Sequence, residues 1–292
     1  MANGRAARAY LALAIGVISI AWSAIFVRWT QMPGIASAFY RVLFASIALC
    51  PFLLLSRAKL PRVSSKTLGL AALGGAFFAG DVGLYNIAVL HTTAGSATFL
   101  ANSSPLLVVL LTWGITRRLP SRRFWLALSI ALAGAFLIVA TDARLLGSRP
   151  LADLAAVLAS ICFALYLMAT ERLRESCNTV TLLALSTTAS AIVLLAFAAS
   201  AHISLVVPNL SSMAALVGLA LICQLMGYFC LTYALGHLPA TITSLILLAV
   251  APITAIFAFL VFRERMTIIQ LLGGGLVLLG VWIITRKDQC NC

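Results

Sequence analysis

The sequence predicts an all-α membrane protein, with ten transmembrane helices in two inverted-topology five-helix repeats. Three observations carry that prediction. The 292 residues are 63% hydrophobic and only 9% charged, with a mean hydropathy of +1.10. A soluble domain carries about 25% charged residues, enough to cover its surface. Apolar runs near the ~20 residues a bilayer requires follow one another along the whole chain. Prolines then sit mid-run at matching places in the two halves, Pro105 and Pro252. So little sequence lies between the runs that a sizeable extramembrane catalytic domain is excluded.

The first run, 10–29, follows Arg5 and Arg8 and resembles a signal peptide, with Ala36-Ser37-Ala38 imitating a cleavage site. It continues to about Val27, beyond the ~7–15 residues of a signal core, so it reads as an uncleaved first span. The second run, 35–56, carries Arg41, and the third, 67–90, carries Asp81 and Tyr85. The fourth, 94–116, contains Pro105, and the fifth, 124–141, closes a first repeat over 1–146. A second repeat over 147–292 holds runs at 151–170, 179–201, 212–236, 239–262 (with Pro252) and 266–285. Backbone in hydrocarbon must satisfy its own hydrogen bonds, so each run is expected to be helical.

Twenty basic residues face seven acidic ones, for a net charge of +13. In a soluble protein that excess points to nucleic acid. In a chain of spans it belongs in the cytoplasmic loops, and no nucleic-acid partner is expected. With the N-terminus inside, fourteen of the twenty fall in cytoplasmic segments. Five lie outside (Arg28, Arg144, Arg149, Arg263 and Arg265), and Arg41 lies within span two. Both termini are therefore placed in the cytoplasm. The halves share a pattern: Tyr85, Pro105 and Gly134 in the first match Tyr233, Pro252 and Gly280 in the second. Five spans is an odd number, so the second half enters from the opposite side. Secondary transporters use such inverted repeats, with Pro- or Gly-interrupted helices marking the binding site.

Ala21-Trp22-Ser23-Ala24-Ile25-Phe26-Val27 in span one, Phe39-Tyr40-Arg41 opening span two, and Gly275-Leu276-Val277-Leu278-Leu279-Gly280-Val281 in span ten carry a family resemblance. The chain resembles the drug/metabolite transporter superfamily, specifically the ten-span EamA-type exporters and their aromatic amino-acid exporter branch. That resemblance implies a central cavity lined by spans one, three, four, six, eight and nine. It also implies export of small metabolites, notably amino acids, from a bacterial inner membrane.

Asp81 is the only acidic residue deep within a run. A carboxylate in hydrocarbon is a functional candidate by default, and it shares a helix face with Tyr85 four residues on. It reads either as a cavity group accepting a substrate ammonium or a proton, or as a structural partner of Arg41. Arg41 in turn can snorkel to the interface, bind a substrate carboxylate or pair with Asp81; the structural role is the expected one. Polar side chains at helical spacing (Thr98 and Asn102 on span four; Gln224, Tyr228 and Thr232 on span eight; Thr243 on span nine) either bind helices together or line a cavity. Trp22, Tyr85, Phe99, Phe163 and Tyr166 are candidates for its apolar wall. Pro105 and Pro252 are candidate helix kinks that free backbone groups.

Trp29 and Trp125 read as interface anchors, and His91, His202 and His237 as loop residues without ligand spacing. Gly273-Gly274-Gly275 reads as a close helix contact. Cys290-x-Cys292 lacks the other ligands of a zinc site. With no P-loop and no nucleophile–base constellation, ATP-driven transport within this chain and catalysis are not expected, nor is a metal or cofactor. The leading expectation is a monomeric exporter of amino acids. A cationic-drug exporter, relying on Asp81, is the alternative within transport. A membrane-embedded enzyme or a scaffold is the alternative outside it.

Overall fold

The computed structural model describes residues 2–56, 65–101, 103–117, 120–146, 150–263 and 267–285. Span one is helical over α1a (Ala2–Ala21) and α1b (Ser23–Trp29), with an interruption at Trp22. There the Ala21 carbonyl accepts from the Thr254 hydroxyl at 3.0 Å. Then come α2 (Gly34–Ser56), α3 (Ser65–His91), α4a (Ala94–Ala101) with α4b (Pro105–Thr116), and α5 (Arg122–Leu146). The second half comprises α6 (Pro150–Arg174), α7 (Thr179–Ser200) and a span eight of three pieces. Those are α8a (Leu210–Gly218), a π-helical α8b (Leu219–Gly227) and α8c (Tyr228–Leu235). Span nine is α9a (Ala240–Leu247) and α9b (Val250–Phe262), and α10 (Ile268–Thr285) closes the described chain. Among the described residues nine of these spans are long and apolar enough to cross a membrane; α5 encloses the remaining apolar run. Several helices outrun the apolar runs, α6 ending at Arg174 rather than near 170, because charge ends the hydrocarbon-facing stretch without ending the helix.

Spans four and nine break immediately before Pro105 and two residues before Pro252. Proline lacks an N–H and its ring crowds the preceding turn's carbonyl. Both broken spans end alike. Arg117 (φ 56°) and Arg263 (φ 57°) are left-handed C-caps whose N–H groups bond Trp113 O and Phe259 O.

Helix packing maps onto itself when the halves are exchanged. α5 packs on α10, α2 on α7, and span four on span nine. α3 packs on α6 as α1a packs on α8, and α3 on α7 as α2 on α8. The α5–α10 contact shows the symmetry at atomic scale. A Cβ on Gly273 would lie 2.4 Å from the Gly134 carbonyl, and one on Gly280 2.6 Å from the Ala127 carbonyl. Small residues let these backbones touch, which is how helices associate where lipid supplies no hydrophobic drive between them.

Candidate functional site

Seven spans converge on a small cavity. Its polar lining is Ser23 of α1b, Arg41 of α2, Asp81 and Tyr85 of α3, and Tyr228 of α8c. Ile20, Val82, Phe163 and Val250 supply apolar walls, and Ala101 ends α4a beside the break. The space open to a water molecule's centre is about 20 Å³. One water needs roughly 10–15 Å³ on that measure, so in this conformation the space is far smaller than an amino acid.

Arg41 does not snorkel. It is 1% exposed and crosses between the halves. Its Nε donates to Gln224 Oε1 at 2.8 Å, and its Nη1 donates to Ser23 Oγ at 3.1 Å. The guanidinium lies 5.2 Å from the Tyr228 ring centroid and 6.0 Å from that of Phe78, within cation–π range. Asp81 and Arg41 line the same cavity but form no ion pair. The four-residue spacing places Asp81 and Tyr85 on one face of α3, as expected. Tyr85 Oη and Thr98 Oγ1 are 3.0 Å apart, linking spans three and four behind the wall.

An aromatic group backs Arg41. Phe78 packs at 4.8 Å from Tyr166 and 4.7 Å from Tyr228 (centroid to centroid), and Phe163 stacks on Tyr166 at 6.3 Å. Of the sequence candidates, Asp81, Tyr85, Phe163 and Tyr228 line the cavity. Gln224, Tyr166 and Thr98 stand directly behind it through the contacts just given. Trp22 stacks on Phe257 at 4.6 Å beside the span-one break. Phe99 packs with Ala131, Ala135, Leu248, Ala251 and Val277, and Thr243 is fully buried in α9a. Asn102 lies outside the described residues.

Sequence reasoning did not single out Ser23 or Phe78. Ser23 follows the Trp22 interruption, and Phe78 sits one turn before Asp81 on α3. The helical spacing of an aromatic beside a buried acid was the available signal for Phe78.

The bundle is tied at opposite ends by the ends of the first helix of each half. At one end Arg28 Nη2 donates to Thr92 O at 2.8 Å in the α3–α4a turn, its guanidinium 5.4 Å from the Phe262 ring centroid. At the other, Glu171 Oε1 accepts from Ala240 N at 2.9 Å at the start of α9a. Arg174 there donates to Cys177 O and lies against Gly236.

A broken-helix inverted repeat around a central cavity is the architecture of a membrane transporter. The EamA-like transporter family model matches residues 7–140 and again 150–286, and the chain belongs to that family. It is 27% identical over 290 residues to an uncharacterized transporter from Archaeoglobus fulgidus, covering 97% of this chain and 99% of that one. A protein of known crystal structure, 17% identical, superposes with a TM-score of 0.75 over 95% of this chain and 96% of the other. At that identity the likeness speaks to the fold alone.

Proposed function

We propose that this transporter exports small metabolites, chiefly amino acids of broad specificity including aromatic ones, by alternating access around the cavity, as a monomer in a bacterial inner membrane. The observation that carries the reading is Asp81: a carboxylate on the wall of a partly aromatic cavity, without an ion pair among the described residues. A carboxylate kept in hydrocarbon at a cost of several kcal/mol has use for a cationic group on a ligand. Phe163, Tyr85 and Tyr228 offer apolar surface to a side chain, at about 25 cal/mol for each Å² removed from water. The bias of basic residues supports cytoplasmic termini, and the outward direction of transport rests on the resemblance to exporters. The matched family regions support a division into halves at 1–146 and 147–292.

Export of cationic drugs through Asp81 is disfavoured by Arg41, a buried cation on the same wall. Purified protein in liposomes, loaded with labelled phenylalanine or threonine and assayed with and without a pH gradient, tests the reading. Flux above protein-free vesicles is expected for both. Absence of flux for every amino acid, with flux for hydrophobic cations, would replace it by the drug-export reading.

A further inference from the structure

Resting on the amino-acid reading above, the geometry points to Arg41 and Gln224 as the carboxylate half of a two-charge site whose ammonium half is Asp81, so that the ligand must carry both charges on neighbouring atoms.

Three features lead there. A buried guanidinium needs its donors satisfied or its charge countered, yet Arg41 Nη2 has no partner among the described residues, and neither has Gln224 Nε2. These are free donors on two side chains, 1% and 0% exposed, already bonded to each other through Nε and Oε1. Opposite charges attract strongly where water is scarce, yet Asp81 and Arg41 share the cavity wall without pairing. The bonds to Ser23 and Gln224, and the rings of Tyr228 and Phe78, anchor Arg41 where it is. Those anchors are neutral, so the positive charge stays available, and a planar guanidinium is well suited to receive a carboxylate.

Gln224, moreover, lies in the π-helical piece of span eight, whereas α3, its counterpart in the first half, is continuous. π-Helical turns inside helices concentrate at functional sites, and here the departure from twofold symmetry falls on the residue that holds Arg41. An open positive group and an open negative group on one cavity wall accept a zwitterion between them. A ligand with one charge would leave the other group without its counterpart in a low-dielectric site.

Binding is measured by competition on the detergent-solubilised full-length protein with phenylalanine, phenylalaninamide (no carboxylate) and N-acetylphenylalanine (no ammonium). Phenylalanine is expected to bind at least about tenfold more tightly than either blocked form. Removing Arg41 risks the fold, because it joins spans one, two and eight. The near-isosteric Gln224→Glu instead gives Arg41 an internal carboxylate. It is expected to weaken phenylalanine at least about tenfold and to leave phenylalaninamide unchanged. Equal binding of all three ligands to the unaltered protein, or equal losses for phenylalanine and its amide in Gln224→Glu, would overturn the two-charge site while leaving amino-acid transport standing. Binding of none of the three would overturn both, an outcome distinct from equal binding.

Discussion

Glu171 is the cap of a helix that begins far from it in sequence. Pro239 occupies the N-cap position of α9a and offers no side-chain hydrogen bond, and the carboxylate of Glu171 bonds the Ala240 N–H in its place. Loss of an N-cap costs about 1 kcal/mol, within a range of roughly 0.5–2. The charge adds about 0.3–1 kcal/mol through the positive end of the helix. Glu171→Gln keeps an oxygen acceptor at the same reach and loses only the charge, so it should cost about 0.3–1 kcal/mol. Glu171→Ala loses both and should cost about 1–2 kcal/mol. At about 2–4 °C per kcal/mol in chains of a couple of hundred residues, alanine should lower Tm by about 2–8 °C and glutamine by roughly half as much.

Because the bond ties the end of α6 to the turn before α9a, its loss should also loosen that mouth. In a protein whose native cysteines are replaced, a cysteine introduced at Ala101 beside the cavity should react faster with a small thiol reagent in Glu171→Ala. The gain should come from the membrane face that carries the α8–α9 turn. Glu175→Ala serves as a control, since its ion pair with Arg172 (3.5 Å) is largely exposed and such pairs contribute little. Equal Tm and equal labelling for wild type and Glu171→Ala would refute the assignment of Glu171 as a cap and a tie.

Gly273→Leu should lower stability by about 1–3 kcal/mol or prevent folding, since overpacked contacts cost about that much and even a Cβ meets the Gly134 carbonyl; thermal melts of the purified protein decide it. Asp81→Asn should reduce amino-acid flux while leaving folded protein in the membrane, and unchanged flux at every pH tested would leave Asp81 a structural role only. Phe163→Ala should weaken phenylalanine more than threonine in competition assays, by about 1–3 kcal/mol, and equal losses would assign Phe163 to packing. Single cysteines at Ser121 and Ser148 should be labelled from the cytoplasmic and external sides respectively; the reverse pattern would invert the orientation.

The spans were legible because the bilayer leaves the backbone one choice: a long apolar run must close its own hydrogen bonds, and a helix does so. The breaks near Pro105 and Pro252 were legible too, because proline's missing N–H is local chemistry. The interruption at Trp22 and the π-helical stretch of span eight were not. No proline or glycine stands at Trp22, and what accompanies its break is the Thr254 hydroxyl, which arrives from span nine. Gly218, just before the π-helical piece, is pressed so closely on the Phe26 ring that a Cβ would lie 2.6 Å away. That contact spans the two halves. Arg41 posed the same difficulty: its place in span two left snorkelling, pairing and ligand binding open, and the partner that holds its Nε is Gln224, in the other half. Asp81 stood out because a lone acid in an apolar run is unusual in itself.

The pair of contacts along α5 and α10 has a consequence for how such a chain can be assembled. Gly134 against Gly273 and Ala127 against Gly280 are one contact made twice, with the partners exchanged. That is the signature of an isologous interface, in which each surface is complementary to itself. A free five-helix half inserted in both orientations would meet its own copy through this seam, as an antiparallel homodimer does. Joining the halves in one chain removes the need for the two copies to stay identical. Each side of the seam can then change alone, and here one position is alanine where its counterpart is glycine. The same freedom lets one half present a cation at its mouth, Arg28, and the other a carboxylate, Glu171, which no homodimer of identical halves could do.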